Sequence, residues 1–177
     1  MTISDSAETA GNSAPAFADP TMQKIADFLA GIGIKVRSER IPEITFLPGL
    51  KIDGGALVVD EALLPYPGDM LHEAGHIAVA APERRRELHI NAGNDPAEEM
   101  MAISWSWAAA RHIGIEPTVL FHEGGYRGWS PALIENFTLG RYFAVPMLQW
   151  VGMTADPARA QELGIEPYPH MIHWLRT

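Results

Sequence analysis

The residues best equipped for chemistry are His72-Glu73-Ala74-Gly75-His76, a His-Glu-x-x-His pattern. In a helix, residues four apart lie one turn apart on the same face, so both imidazoles can converge on one ion. Glu73 sits about 100° around the helix from His72. That is too far to share the ion comfortably, but it suits a general base acting on a water beside the metal. At this chain's own His and Glu frequencies chance would supply about 0.02 such patterns, so the spacing carries information. The neighbours Leu71, Ala74, Ile77, Ala78 and Val79 are apolar and set the pair in a largely buried helix. Buried imidazoles need partners. A zinc ion supplies one for each, with backbone carbonyls as the alternative. Gly75 costs a helix about 1 kcal/mol relative to Ala, and its missing side chain would let another backbone segment come close.

The chain has seven histidines and no cysteine, so any metal must be held by His, Asp or Glu. Three and six residues after His76 stand Val79 and Pro82, which excludes the extended motif that places Gly and His there. A third ligand must come from another segment, and Glu98-Glu99 opens one. Two acids in a first helical turn also suit the positive end of the helix dipole. With Asp95 as N-cap, Pro96 at N1 and Glu98 closing a capping box, Glu99 is free to reach the metal. Ala102, one turn on, leaves room beside it. Glu98 is the second choice.

With His72, Glu73 and His76 on one helix and Glu99-Met100-Met101-Ala102 on another, the chain resembles the zincin-type metallopeptidases of the ImmA/IrrE kind. The resemblance runs from about residue 21 to 112. Ile103 stands where that family usually has Asn or Asp, and residues 115–177 match no part of it. It implies an α+β, zincin-like fold, in which a small antiparallel sheet precedes the H-E-x-x-H helix and further helices. It also implies Zn²⁺ held by His72, His76 and Glu99, with Glu73 as the base in peptide hydrolysis, acting on a regulatory protein. A non-catalytic, metal-binding regulatory or interaction protein on the same scaffold is the alternative. His122-Glu123-Gly124-Gly125-Tyr126 echoes the motif with Tyr126 in place of the second His. Related peptidases use a downstream His or Tyr to stabilise the oxyanion, a role open to Tyr126 or His122. A surface loop anchored by one aromatic is the other reading.

These residues need a scaffold, and 177 residues with 47% hydrophobic and 20% charged content suffice for one globular domain. Thirteen Lys+Arg against 22 Asp+Glu give a net charge of −9, which argues against nucleic acid and anionic membrane as partners and leaves a peptide or protein. Without a signal or membrane segment the expected compartment is the cytoplasm. Residues 1–20 read as a disordered or loosely attached arm and 21–177 as the domain. A helix from Thr21 ends at Gly31 and Gly33. Three β-type runs follow, Lys35 to Ile41, Ile44 to Leu47 and Ala56 to Asp60, with a hairpin at Asp53-Gly54-Gly55. Helices are then expected to open at Pro67-Gly68-Asp69, Asp95-Pro96, Ser130-Pro131 and Asp156-Pro157. Trp105, Trp107, Met100 and Met101 read as core. Arg84-Arg85-Arg86 reads as a solvated charged face, and His170 with His173 as either an i, i+3 metal pair or part of a frayed terminus.

Overall fold

Helical order starts where Asp19 caps the first turn, its carboxylate accepting the Thr21 and Met22 N–H groups, each at 2.8 Å. In the computed structural model, which describes residues 13–89 and 95–177, the helix so begun is α1 (Pro20–Gly31). Residues 1–12 of the expected arm lie outside the described residues. Within 13–20, Phe17 is buried in the core and its N–H donates to Gln23 Oε1 at 2.7 Å.

Three strands follow: β1 (Val36–Ser38), β2 (Leu50–Asp53) and β3 (Ala56–Val59). The hairpin at Asp53-Gly54-Gly55 forms, but its first arm is Leu50–Asp53 and not Ile44–Leu47. Ile44 and Phe46 are exposed instead. The sheet order is β1-β3-β2, with β2 antiparallel and β1 parallel to β3, so the sheet is mixed where an antiparallel one was expected. The cause is the eleven-residue connection from Glu39 to Gly49, long enough to leave room for β3 between β1 and β2. Asp60 fixes that connection by accepting the Ile41 N–H at 2.9 Å. Both edges of β3 are then occupied, and of the 44–47 run Leu47 makes an isolated bridge, to Leu50. Every residue of β3 is buried, as suits a central strand, whereas β2 alternates between buried and half-buried residues.

The remaining elements are helical: α2 (Asp69–Val79), α3 (Pro82–Arg85), α4 (Pro96–Ile113), α5 (Pro117–Leu120), a 3-10 turn over Tyr126–Gly128, α6 (Ser130–Thr138), α7 (Val145–Trp150) and α8 (Pro157–Leu163). The architecture of the described residues is α+β. None of their helices is long and apolar enough to cross a membrane. Asp95 and Asp156 cap α4 and α8, and Gly114 and Gly164 end them in left-handed conformation. The sheet lies on one side of α2 and α4 on the other. On α4, Met101, Trp105 and Trp107 are core, whereas Met100 is exposed.

The ends of α2 are closed from a distance. A Cβ on Gly68 would lie 2.1 Å from the Val119 carbonyl oxygen, so only glycine lets α5 abut this end. At the other end Arg85 donates to the Ile77 and Ala80 carbonyls at 3.0 and 3.2 Å and to the Arg176 carbonyl at 2.7 Å. The Arg176 N–H in turn donates to the Ala78 carbonyl at 2.9 Å. The arginine run is therefore not a uniform solvated face. Arg84 pairs with Glu98, Arg86 is exposed, and Arg85 satisfies the last carbonyls of α2. Nor is the 170–177 segment frayed. Ile172 N–H bonds the Met153 carbonyl at 2.9 Å, Trp105 Nε1 donates to the Trp174 carbonyl at 2.9 Å, and His170 and His173 lie exposed outside any helix.

A Cβ on Gly75 would lie 2.8 Å from the Ala102 carbonyl oxygen and 3.1 Å from its Cα. Gly75→Ala should therefore destabilise the fold by about 1–3 kcal/mol, although alanine is the better helix former. The urea midpoint should fall at unchanged slope. An unchanged or raised midpoint would mean that α4 yields without cost.

Candidate metal centre

His72, Glu73 and His76 occupy consecutive turns of α2, within a stretch whose other residues are almost all buried. The two imidazoles turn their Nε2 atoms toward each other, 3.3 Å apart. Glu99 reaches them from the first turn of α4, with Oε2 3.1 Å from His76 Nε2 and Oε1 3.5 Å from His72 Nε2. The Glu73 carboxylate belongs to the same group, its oxygen within 4.8 Å of the two histidine nitrogens. Glu98, the second choice for the carboxylate, is taken by Arg84.

The spacing of the three donors can be compared with what an ion requires. Ligand atoms about 2.0–2.1 Å from a tetrahedral zinc stand about 3.3–3.4 Å from one another. The His72–His76 separation of 3.3 Å matches that figure, and the Glu99 carboxylate spans the pair with one oxygen 3.1 Å from His76 and the other 3.5 Å from His72. Both Nδ1 atoms are buried without a hydrogen-bond partner among the described residues, so the polar bonding of each ring is directed at the shared centre. Two nitrogens and a carboxylate form the donor set that zinc prefers when cysteine is absent. His76 is buried and His72 nearly so, while the Glu99 side chain is 48% exposed, which leaves one side of the centre toward solvent.

Burial dominates the electrostatics. It pushes His72 down to about 4, helped by the neighbouring His76, and pushes Glu73 up to about 7. Burial also opposes the charging of His76, but the Glu99 hydrogen bond and the surrounding carboxylates outweigh it and raise that histidine. Glu99 is held below the usual carboxylate range, chiefly by His76. Neutral imidazole and ionised carboxylate are the ligating forms.

Beside the centre stands Tyr126, whose ring meets His72 edge to face at 5.6 Å. Its hydroxyl is buried without a partner, and burial holds it well above the ordinary phenol range, so it is a neutral donor. His122 is buried too, so the 121–126 segment is not merely a surface loop; its Nε2 lies 2.8 Å from Asp69 Oδ1 and its ring stacks on Tyr66 at 3.8 Å. Gly124 and Gly125 are required by contact, since a Cβ on each would lie 2.7 Å from Tyr66 and 2.9 Å from His122 respectively. Sequence reasoning missed Asp69 and Tyr66. Asp69 stands three residues before His72 on the same face, a spacing that could have flagged it.

No family model, curated protein or solved structure gives a match to the chain. The donor set itself can be tested. Purified chain titrated with zinc should bind one equivalent and gain thermal stability. His76→Ala and Glu99→Ala should each weaken binding by more than about 100-fold, whereas Glu98→Ala should change it little. Equal losses for Glu98→Ala and Glu99→Ala, or no saturable binding, would refute the assignment.

Proposed function

We propose that the chain is a zinc-dependent peptidase of the zincin kind, with His72, His76 and Glu99 as metal ligands. The facing Nε2 atoms 3.3 Å apart, spanned by the two Glu99 carboxylate oxygens at 3.1 and 3.5 Å and flanked by Glu73, carry this reading. Zinc held there supplies the Lewis acidity that makes water a nucleophile near neutral pH. Glu73 takes the proton of the attacking water and delivers it to the leaving amine. In this reading the Tyr126 hydroxyl stabilises the oxyanion that develops on the peptide carbonyl, a role supported by its being a buried donor without a partner. The order of a small sheet, an H-E-x-x-H helix and an E-x-x-A helix supports a place among ImmA/IrrE-like peptidases. In that reading the substrate is a regulatory protein, and the net charge of −9 favours a protein over DNA.

The test is cleavage of a peptide library by zinc-loaded chain. Glu73→Gln should abolish cleavage while zinc content stays at one equivalent. Tyr126→Phe should lower kcat by about 10²–10³ with little change in KM. Full cleavage by Glu73→Gln would overturn the mechanism. Stoichiometric zinc without cleavage of any library member would favour a non-catalytic metal-binding protein.

A further inference from the structure

A cavity of about 630 Å³ lies where the segment before α2 meets α5 and the start of α6, walled chiefly by Tyr66, Val119, Phe121, His122 and Ile134. None of His72, Glu73, His76, Glu99 or Tyr126 lines it, so it is a second feature of the fold, apart from the candidate metal centre. A space of this size encloses a small organic molecule rather than a single ion. Its wall is held in place. The His122 ring is fixed by Asp69, 2.8 Å from its Nε2, and by the Tyr66 ring stacked on it at 3.8 Å. Ser130 Oγ donates to the His122 carbonyl at 2.6 Å, and Gly124 and Gly125 lie against the stack where no side chain would fit. A wall so supported lowers the ordering cost of binding.

The chemistry of the lining selects among small molecules. Most of the wall is aromatic ring or hydrocarbon, which favours an apolar body over a strongly hydrated one. Glu123 is the one Asp, Glu, Lys or Arg among the lining residues. It is exposed and makes no ion pair among the described residues, so its carboxylate is free to meet a cation and repels an anion. Tyr66 and Phe121 act in the same direction, because aromatic rings attract organic cations. The charge of Arg127, close by in sequence, bears instead on Glu99 of the metal centre, which it helps hold down.

The geometry points to this cavity as a binding site for a small aromatic amine, with its ring system against Tyr66, Phe121 and Ile134 and its ammonium paired with Glu123. Full-length chain with labelled methyl groups would be titrated with tryptamine, uncharged 3-ethylindole, indole-3-propionate and putrescine. Tryptamine should shift the Val119 and Ile134 methyls saturably, about two- to fivefold more tightly than 3-ethylindole. Its margin over indole-3-propionate and over ring-free putrescine should be at least about tenfold. Glu123→Gln should erase the advantage over 3-ethylindole. Ile134→Trp, which fills the cavity, should remove the Val119 shifts while the Leu71 and Ile77 methyls report an intact fold. One equivalent of zinc should leave the tryptamine affinity as it was. No saturable shift at Val119 and Ile134, or Val119 shifts that persist in Ile134→Trp, would overturn the site. Equal or tighter binding of indole-3-propionate, or a preference for tryptamine that survives Glu123→Gln, would overturn its assignment to an amine. An affinity that appears only with zinc would put the amine on the metal and overturn the site as well. Every readout is independent of cleavage, so the peptidase reading stands or falls separately.

Discussion

The position of every group in the candidate centre depends on the contact of Gly75 with Ala102. Glycine on α2 lets the α4 backbone come so near that a Cβ would overlap the Ala102 carbonyl. Glu99 precedes Ala102 by one helical turn, and His72 and His76 bracket Gly75, so the crossing point fixes how far the carboxylate stands from the imidazoles. An added methyl at the crossing would force the two backbones apart beside the centre. Glycine at the crossing is thus a distance requirement that ties the spacing between Glu99 on one helix and His72 and His76 on the other.

Placing four ionisable groups on one mostly buried helix is costly, and the scaffold spends most of its polar contacts on α2 for this reason. The sheet covers one flank and α4 another, while Arg85 and the Arg176 backbone close the carbonyl end. Within this dry setting burial drives both His72 and Glu73 toward their neutral forms. For His72 the neutral form is the one that ligates. Asp69 escapes isolation by pairing with His122, which ties the start of α2 to the segment carrying Tyr126.

Much of the centre could be read from the sequence because its determinants are local. The i, i+4 histidines, the Asp95-Pro96 helix start and the glycine at the crossing each follow from spacing within one or two turns. The choice of Glu99 over Glu98 followed from the expected cap, although in the structure Arg84 is what engages Glu98. Features fixed by distant partners were not readable. Ile44 to Leu47 has the composition of a strand, yet β3 has no free edge to offer it. Arg85 looks solvated beside Glu83 and Glu87, but its partners are the carbonyl end of α2 and a residue 91 positions later. Asp69 resembles an ordinary acid in a first helical turn until residue 122 is folded against it.

The segment from Phe121 to Ser130 packs against the candidate centre through Tyr126. Tyr126, Arg127 and Gly128 all have positive φ, at 52°, 52° and 81°. For two non-glycine residues such a backbone costs about 1–2 kcal/mol each, and it persists only where surrounding contacts over-determine it. Here those contacts are the packing of Tyr126 against His72, Phe121 and His122 and the fit of Gly124 and Gly125 onto the aromatic stack. A relaxed loop would let the tyrosine ring swing out and expose His72. The strain therefore keeps the Tyr126 ring packed against His72 and Phe121 together. The helix pair alone brings the imidazoles and the carboxylate together, whereas the buried, unpartnered hydroxyl beside His72 comes from this later segment.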